Sequence, residues 1–380
     1  MLIRALIALL RLKGKLRKIR SLDPDSIHSI LIVELTRLGD VITMLPTVRV
    51  LAKHFPHATI RILADERYAS FLRSFNLPCS VSGVVNPETS EGFLSAVAFV
   101  RTQKVDLAIS ISPPKRNAAV ALASGALRKV GYLAYSDTLT PYLTSHCIES
   151  FGCRLNRSLE FGRENIELRS LKICDALGIA RGASDTRLTI DHTEKNALLE
   201  TIGIPRKCQL IVLHPFSGWL FRSWGLDRFN ELASTITTRL NSHVLFLCEK
   251  GEERKLEASR KLFAQSKRVW FYASDNLMDT AAILQEADLL VCNDSGPLHL
   301  AAALGVRTVA LFGPSTPDLT GPRTLKGEYL YKQLECSPCN QMRCIHAGSP
   351  CMTYISPDEV YQSVMRQLPV QLAASAVANA

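Results

Sequence analysis

A polar turn near residue 295 carries the strongest chemical signal in the sequence. Asn293-Asp294-Ser295-Gly296 follows an apolar run, and Pro297 then opens a helix of small residues with His299 near its start. Proline at the first helical position, with Ser or Asp before it, is typical of a helix start. The exposed N–H groups and the positive dipole end of such a helix can bind a diphosphate. The alternative interpretation is an ordinary capped helix of an α/β domain.

A second glycine-proline turn, Phe312-Gly313-Pro314-Ser315-Thr316, follows the next apolar run. The carboxyl ends of neighbouring parallel strands lie at one edge of a sheet, so we expect both turns at the same rim. Two polar turns at one rim favour a ligand site over a simple helix start.

Asp40 ends the segment Leu35-Thr36-Arg37-Leu38-Gly39-Asp40, which joins the first predicted strand to a helix. Its carboxylate could cap that helix, which is worth about 1 kcal/mol. It could equally face a substrate and take a proton from an attacking hydroxyl. Spacing alone favours the cap.

Arg222 lies two residues before Trp224, in a stretch that follows the first predicted strand of the second half of the chain. An arginine at the end of a strand can bind phosphate. The alternative is a surface arginine beside a packed tryptophan, and the residues alone do not separate the two.

Four of the eleven cysteines form the pattern Cys336-x2-Cys339-x4-Cys344-x6-Cys351. This spacing could bind zinc or an iron–sulfur cluster. Buried or paired thiols are the favoured alternative, so no metal is assigned. An odd number of cysteines in a chain of this length makes a disulfide scaffold unnecessary and indicates a reducing cytoplasm.

Composition restricts the class of protein. The 380 residues are 47% hydrophobic and 21% charged, with a net charge of +10, which is typical of a globular chain of two or three domains. No apolar run is long enough to cross a bilayer. The G-x-G-x-x-G and G-x-x-x-x-G-K-[ST] loops are absent, so the usual dinucleotide and P-loop sites are excluded.

The first twenty residues hold much of the positive charge. Seven cations occur there without an acid: Arg4, Arg11, Lys13, Lys15, Arg17, Lys18 and Arg20. Leucines recur at spacings of three and four along the same stretch, as in an amphipathic helix. We expect this segment to lie on an anionic membrane surface; a solvated tail or a packed leading helix is the alternative. Because the rest of the chain is only mildly basic, nucleic acid is not an expected partner.

Short apolar runs alternate with helical stretches from Ser29 onward. The predicted strands are Ile30–Val33, Thr59–Leu63, Val105–Ile111, Leu210–Leu213, His243–Leu247, Asp288–Cys292 and Thr308–Phe312. The predicted helices are Val41–Phe55, Gly92–Thr102, Arg163–Leu177, Asp227–Leu240, Glu252–Phe263, Leu277–Glu286 and Pro297–Leu304. This alternation predicts an α/β protein with two doubly wound parallel sheets and a substrate cleft between the domains.

Three segments together resemble glycosyltransferase family 9, the ADP-heptose:lipopolysaccharide heptosyltransferases. They are ILIVELTRLGDVITMLPTVRVLAKHFPHATIRIL, LHPFSGWLFRSWGLDRF and NDSGPLHLAAALGVRTVALFGPSTPDLTGP. The resemblance runs from about Ser29 to Val360. It implies a GT-B fold, in which two Rossmann-like domains face each other across a cleft, and metal-independent inverting transfer without a cofactor.

The resemblance also implies roles for individual residues. Asp40 matches the family's proposed catalytic base. Arg222 stands where the family has a lysine that contacts the donor phosphate; arginine keeps the charge but not the shape. Glu249 matches an acid that holds the donor ribose. The donor-binding signature is matched by Asp294, Ser295, Gly296, Pro297 and His299, and the following turn by Gly313 and Pro314.

These expectations define a domain plan and a function. The plan comprises a basic amphipathic segment (1–24), an acceptor-side Rossmann-like domain (25–190), a nucleotide-sugar-binding Rossmann-like domain (206–355) and a C-terminal helix and tail (356–380). The expected function is heptose transfer from ADP-heptose to a lipid-linked lipopolysaccharide core acceptor, at the inner face of the cytoplasmic membrane. The alternatives are transfer of another nucleotide-linked sugar in cell-envelope glycan synthesis and ligand binding without catalysis.

Overall fold

The computed structural model describes residues 24–112, 115–126, 128–134, 146–150, 165–190, 195–205, 207–339 and 344–368. The predicted membrane-binding segment therefore lies outside the described residues. The chain forms two compact units, Met1–Thr186 and Arg187–Ala380. Among the described residues, no helix has the length and apolar character required to span a membrane.

The first unit is built on a six-stranded parallel sheet. Its strands are β1 (Ser29–Glu34), β2 (Thr59–Asp65), β3 (Ser80–Val84), β4 (Leu107–Ser110), β5 (Arg128–Ala134) and β6 (His146–Ser150). They lie in the order β3-β2-β1-β4-β5-β6, and every pair is parallel. Side chains of β1 and β4 are buried almost throughout, because helices cover both faces of a doubly wound sheet.

Helices connect these strands. They are α1 (Leu38–Thr43), α2 (Leu45–His54), α3 (Glu66–Arg73), α4 (Ser90–Arg101), α5 (Lys115–Ala123) and α6 (Ile166–Ala176). Side chains cap several of their starts: Asp65 accepts the Arg67 N–H at α3, and Thr89 accepts the Gly92 N–H at α4. Such caps satisfy N–H groups that have no partner inside the helix.

The second unit repeats the same topology. Its strands are β7 (Leu210–His214), β8 (His243–Glu249), β9 (Val269–Ser274), β10 (Leu289–Asn293), β11 (Arg307–Phe312) and β12 (Lys326–Tyr331). They lie in the order β12-β11-β10-β7-β8-β9, all parallel. Counted from the start of each unit, both sheets have the strand order 3-2-1-4-5-6 of a Rossmann fold.

The helices of the second unit are α7 (Lys195–Ile202), α8 (Leu226–Arg239), α9 (Glu257–Leu262), α10 (Leu277–Glu286), α11 (Gly296–Leu304), α12 (Pro317–Thr320), α13 (Pro350–Thr353) and α14 (Pro357–Gln367). Short 3-10 turns precede α8 and α9, at Leu220–Arg222 and Glu253–Leu256. The apolar core between sheet and helices includes Trp224, Phe229 and Phe246.

The predicted α/β architecture with two doubly wound sheets is confirmed. Each of the seven predicted strands is present, and α10 has the predicted bounds because Asn276 accepts the Asp279 N–H at its start. The strands that were not predicted are β3, β5, β6, β9 and β12. Four of them lie at sheet edges, and an edge strand needs a less continuous apolar run than a central strand that is covered on both faces.

The predicted helix Val41–Phe55 is not continuous in the structure. Val41–Phe55 is divided between α1 and α2 at Met44, which ends one helix and precedes the next. Pro46 lies in the first turn of α2. Proline has no N–H to donate to the preceding turn, so an uninterrupted helix is disfavoured here.

Candidate functional site

In the second unit, the strand order changes direction between β7 and β10. These strands are neighbours in the sheet, but the chain leaves them toward opposite sides. Ligands of open α/β sheets bind outside the carboxyl ends of the strands at such a switch point. The loop after β7 contains Arg222, and the turn after β10 contains Asp294, so the structure brings the two predicted donor-site segments to one rim.

Asp294 is the centre of this rim. Its side chain is only 3% exposed, and its Oδ2 lies 3.0 Å from Nη1 of Arg222. Thr320 Oγ1 donates to the same oxygen at 3.2 Å, and the Ser315 hydroxyl donates to it as well. One buried carboxylate therefore joins the segments that follow β7, β10 and β11.

Asn293 fixes the loop that carries Arg222. Its Oδ1 accepts the Trp224 N–H at 3.0 Å, and its Nδ2 donates to the Pro215 carbonyl at 2.7 Å. Trp224 is itself buried, and its indole N–H donates to the Ile355 carbonyl at 2.8 Å. The tryptophan is packed, as one interpretation predicted. Arg222, however, is paired with a buried carboxylate, so the surface-arginine interpretation is wrong.

The start of α11 is not capped by the side chain of its N-cap residue. Ser295 occupies the N-cap position and, among the described residues, its side chain makes no capping hydrogen bond, while the Leu298 N–H donates to the Ser295 carbonyl at 3.2 Å. Instead, Ser295 Oγ donates to the Asn293 carbonyl at 3.1 Å. Pro297 lies in the first turn and His299, which is buried, follows two residues later. Ser295 therefore does not cap the helix through its side chain, and diphosphate binding at this helix start stays a prediction.

Glu249 is the last residue of β8 and is exposed. β8 lies next to β7, on the side away from β10, so it is the second strand of this Rossmann-like unit. An acid at the end of that strand binds a ribose hydroxyl in many such folds. The position agrees with the predicted ribose contact, which stays a prediction.

The turn at Gly313-Pro314 is held by hydrogen bonds from residues nearer the C-terminus. Ser337 Oγ donates to the Gly313 carbonyl at 3.0 Å, and the Cys339 N–H donates to the Pro314 carbonyl at 2.9 Å. A Cβ on Gly313 would lie 2.8 Å from Met352 Cγ, so only glycine fits there without a shift of its neighbour. The cysteine-containing segment thus supports the turn that supplies Ser315 to Asp294.

The four C-terminal cysteines have reduced thiols. Cys336, Cys339 and Cys344 are half-buried and Cys351 is buried, without a disulfide among the described cysteines. Burial, and then the other three thiols, raise the pKa of Cys351 to about 11. Of the alternative of buried or paired thiols, the structure has unpaired thiols that are half-buried or buried. In the parts of the chain that the structure describes, no three His, Cys, Asp or Glu residues are grouped to hold a metal ion.

Asp40 lies at the equivalent switch point of the first unit. It is half-buried and is the third residue of α1, which follows β1 beside β4. The N-cap position belongs to Arg37, and within this described helix no side chain makes a capping hydrogen bond. Asp40 is therefore not the N-cap residue; it is the acid of the first turn of α1, and its role as a base stays a prediction.

Glu34 is a buried carboxyl that the sequence did not single out. It ends β1 and has no exposed surface. Oε1 accepts the Thr36 N–H at 3.1 Å and Nδ2 of Asn117 at 3.3 Å, while the Ser112 hydroxyl donates to Oε2. Burial, followed by the charge of Asp40, raises the pKa of Glu34 to about 8. The only sequence signal is an acid at the end of an otherwise apolar run.

Family membership is decided by a match that covers well over half of the chain. The family described as glycosyltransferase family 9 (heptosyltransferase) matches residues 100–349. The chain belongs to glycosyltransferase family 9. The match includes Arg222, Glu249 and both polar turns of the second unit, whereas Asp40 precedes it.

Some curated heptosyltransferases are similar over shorter stretches of the chain. Lipooligosaccharide heptosyltransferase 2 of Campylobacter jejuni is 37% identical over 82 residues, which cover 21% of this chain and 26% of that relative. The chain spans between a quarter and a half of the first curated relatives that it matches.

Solved structures agree over nearly the whole chain. A family 9 glycosyltransferase from Veillonella parvula has a TM-score of 0.72 and 22% identity, covering 91% of this chain and 98% of its own. ADP-heptose lipopolysaccharide heptosyltransferase II of Escherichia coli has a TM-score of 0.69 and 18% identity, covering 89% and 98%. An iron-containing glycosyltransferase, TibC of enterotoxigenic E. coli, has a TM-score of 0.56 and 14% identity, covering 92% and 78%. These likenesses show the fold, and the predicted GT-B fold is confirmed.

Proposed function

We propose that this chain is an inverting heptosyltransferase that transfers heptose from ADP-heptose to a lipopolysaccharide core acceptor without a metal ion. The observation that carries the proposal is the Arg222–Asp294 pair at the β7/β10 switch point, beside the uncapped start of α11. Family membership and the ADP-heptose and lipopolysaccharide named for the E. coli neighbour support the choice of substrates.

The second unit supplies charge for the leaving diphosphate. The start of α11 offers a positive dipole end, and Arg222 adds a guanidinium that is 19% exposed. Asp294 orients this guanidinium and is neutralised by it, so the carboxylate does not repel the diphosphate. Preformed donors aimed at developing negative charge can lower a barrier without a metal ion.

The first unit supplies the base. Asp40 takes the proton of the acceptor hydroxyl as that oxygen bonds to the anomeric carbon of the heptose. The bond from that carbon to the ADP oxygen breaks on the opposite face, and its electron pair leaves with ADP. The configuration at the anomeric carbon is therefore inverted, and the acceptor proton ends on Asp40.

The basic segment 1–24 holds the enzyme where its acceptor is anchored. Its cations attract anionic lipid and its leucines add apolar burial. We therefore place the protein peripherally on the inner face of the cytoplasmic membrane. A metal on Cys336, Cys339, Cys344 and Cys351 is not part of the proposed reaction.

Transfer of a different nucleotide sugar is the second candidate. The rim residues described above are proposed to bind the diphosphate and the ribose of the donor. None of them is proposed to bind the transferred sugar. Binding without catalysis is less well supported, because Asp40 is half-buried at a switch point and is not the N-cap residue of α1.

A donor panel tests the proposal. ADP-heptose, ADP-glucose, UDP-glucose and ADP are titrated calorimetrically into the full chain, each with EDTA and with Mg²⁺. The proposal predicts preference for ADP-heptose and equal affinity in EDTA. Preference for a UDP-sugar would move the assignment to the second candidate, and a strict requirement for a divalent ion would overturn the metal-free mechanism.

A further inference from the structure

Glu34 is a fully buried carboxyl that lies beside the proposed base turn. It ends β1, and the chain reaches Asp40 six residues later through the turn that opens α1. Within the part of the chain that the structure describes, Glu34 has no ion-pair partner, and a buried carboxyl without one is costly when it is charged. Its retention at this position therefore requires an explanation.

Its hydrogen bonds all hold the turn that leads to Asp40. Thr36 donates to Glu34 through both its N–H and its hydroxyl. Asn117 of α5 donates to Glu34 and accepts the Leu35 N–H at 3.3 Å. The Ser112 hydroxyl, just after β4, donates to the other carboxyl oxygen. The first residues after β1 are thus fixed to β4 and α5 through one side chain.

We propose that Glu34 is a positioning residue, which in its protonated form holds the turn between β1 and Asp40 and leaves Asp40 as the carboxylate that takes the acceptor proton. The inference rests on the proposed function, because it gives Glu34 a part in that reaction. A protonated Oε2 can donate to Ser112, whose hydroxyl both donates and accepts. Oε1 remains the acceptor for Thr36 and Asn117.

The charged groups around Glu34 agree with this assignment. The negative charge of Asp40 disfavours a second charge at Glu34, and burial, the larger cause, acts in the same direction on its pKa. Asp65, at the end of the neighbouring β2, is paired with Arg67 at 2.9 Å. On α5, Arg116 donates to the Glu88 carbonyl. Arg37 on the turn itself is exposed.

Ionisation of Glu34 has a predictable consequence. As pH rises through about 8, a buried charge forms next to Asp40 and the proton shared with Ser112 is lost. The turn then shifts, and a displacement of about 1 Å at a reacting group can cost roughly 100-fold in rate. The value of kcat should therefore fall on the alkaline side, while KM for the donor stays constant because the donor rim belongs to the second unit.

Two substitutions of Glu34 separate the effect of its ionisation from the effect of losing its hydrogen bonds. Glu34→Gln keeps every hydrogen bond, since its amide donates to Ser112 and its oxygen accepts from Thr36 and Asn117. It should retain turnover within a factor of about 3 at pH 7 and lose the alkaline fall, because it has no proton to lose. Glu34→Ala should lose at least about 10-fold in kcat at pH 7. Glu167→Gln, which alters another buried carboxyl of this unit, should leave the alkaline fall in place.

Amide hydrogen exchange gives a readout that needs no turnover. In the full chain at pH 7, the amides of residues 35–40 should exchange at least about 10-fold faster in Glu34→Ala than in the native protein, and close to the native rate in Glu34→Gln. An unchanged alkaline fall in Glu34→Gln, or native exchange in Glu34→Ala, would overturn the inference. Absence of transfer by the native protein would instead overturn the proposed function, and the exchange comparison would still decide whether Glu34 holds the turn.

Discussion

At the scale of single residues, Arg222 has two roles that substitutions can test. Arg222 neutralises a buried carboxylate and, in the proposed complex, also meets the diphosphate. Arg222→Met removes both roles, and the loss of charge-assisted hydrogen bonds should weaken ADP binding by about 10- to 100-fold. Arg222→Lys keeps the charge without the planar fork and should give an intermediate affinity.

Calorimetric titration with ADP measures this series. Lys261→Met, at an exposed cation on α9, is the control for a general loss of positive charge and should bind ADP like the native protein. Native affinity in Arg222→Met would show that the guanidinium serves only to stabilise Asp294.

The two buried carboxyls show how far the sequence predicts single residues. Asp294 was identified because it lies in a polar turn beside a helix start, a local pattern. Glu34 was not, because an acid after Ile30–Val33 looks like the solvent-exposed end of a strand. Its burial depends on Ser112 and Asn117, which are 78 and 83 residues away. Such contacts are fixed by sheet topology, which the local sequence does not contain.

At the scale of elements, the residue that follows the C-terminal end of α11 contributes to the stability of the fold. Gly305 follows the helix with φ of 73° and ψ of 23°, in the left-handed region. Its N–H and that of Val306 bond to carbonyls of the last turn. A side chain at φ near 70° costs about 1–2 kcal/mol. Gly305→Ala should therefore lower the free energy of unfolding by about that amount.

Gly305→Asn is the matched variant, because asparagine tolerates the left-handed conformation better than alanine. Urea denaturation should rank stability as native, then Gly305→Asn, then Gly305→Ala. The nearest atom to an added Cβ is Lys326 Nζ at 3.3 Å, the flexible end of a side chain, so a clash does not explain a loss. Equal stability of alanine and asparagine would contradict the conformational account.

Elements were predicted well where burial is complete and less well at the edges. The central strands have apolar runs that are visible in the sequence. β12, by contrast, begins with Lys326-Gly327, and its side chains are mostly half-buried or exposed. The sequence predicts that the two polar turns lie at one rim, and it does so for a general reason: the carboxyl ends of parallel strands meet at one edge of a sheet. The bracing of Gly313 by Ser337 and Met352 required the folded structure.

At the scale of the whole molecule, the first twenty residues should set where the enzyme works. Each cation near an anionic surface contributes about 1 kcal/mol, and salt screens this attraction over roughly 10 Å. The leucines add burial that salt does not weaken. Sedimentation with anionic vesicles should show binding that decreases, without disappearing, between low and high salt.

A chain that starts at Leu22 should bind these vesicles much less. It should still transfer heptose to a soluble acceptor analogue, since the described strands of the first unit begin at Ser29. Equal vesicle binding by the full and shortened chains would refute the membrane role. The basic segment would then be a solvated tail or a packed leading helix.

The central claim is that the chain transfers heptose with Asp40 as the base. The most direct test compares the turnover of the native chain with that of Asp40→Asn, both in EDTA. ADP-heptose and a truncated lipopolysaccharide acceptor are supplied, and heptosylated acceptor is measured together with ADP. The native chain should form both products in equal amounts. Asp40→Asn should bind ADP normally and turn over about 10²- to 10⁴-fold more slowly, which is the usual size of a general-base effect. Native turnover by Asp40→Asn, after correction for the folded fraction, would contradict the account.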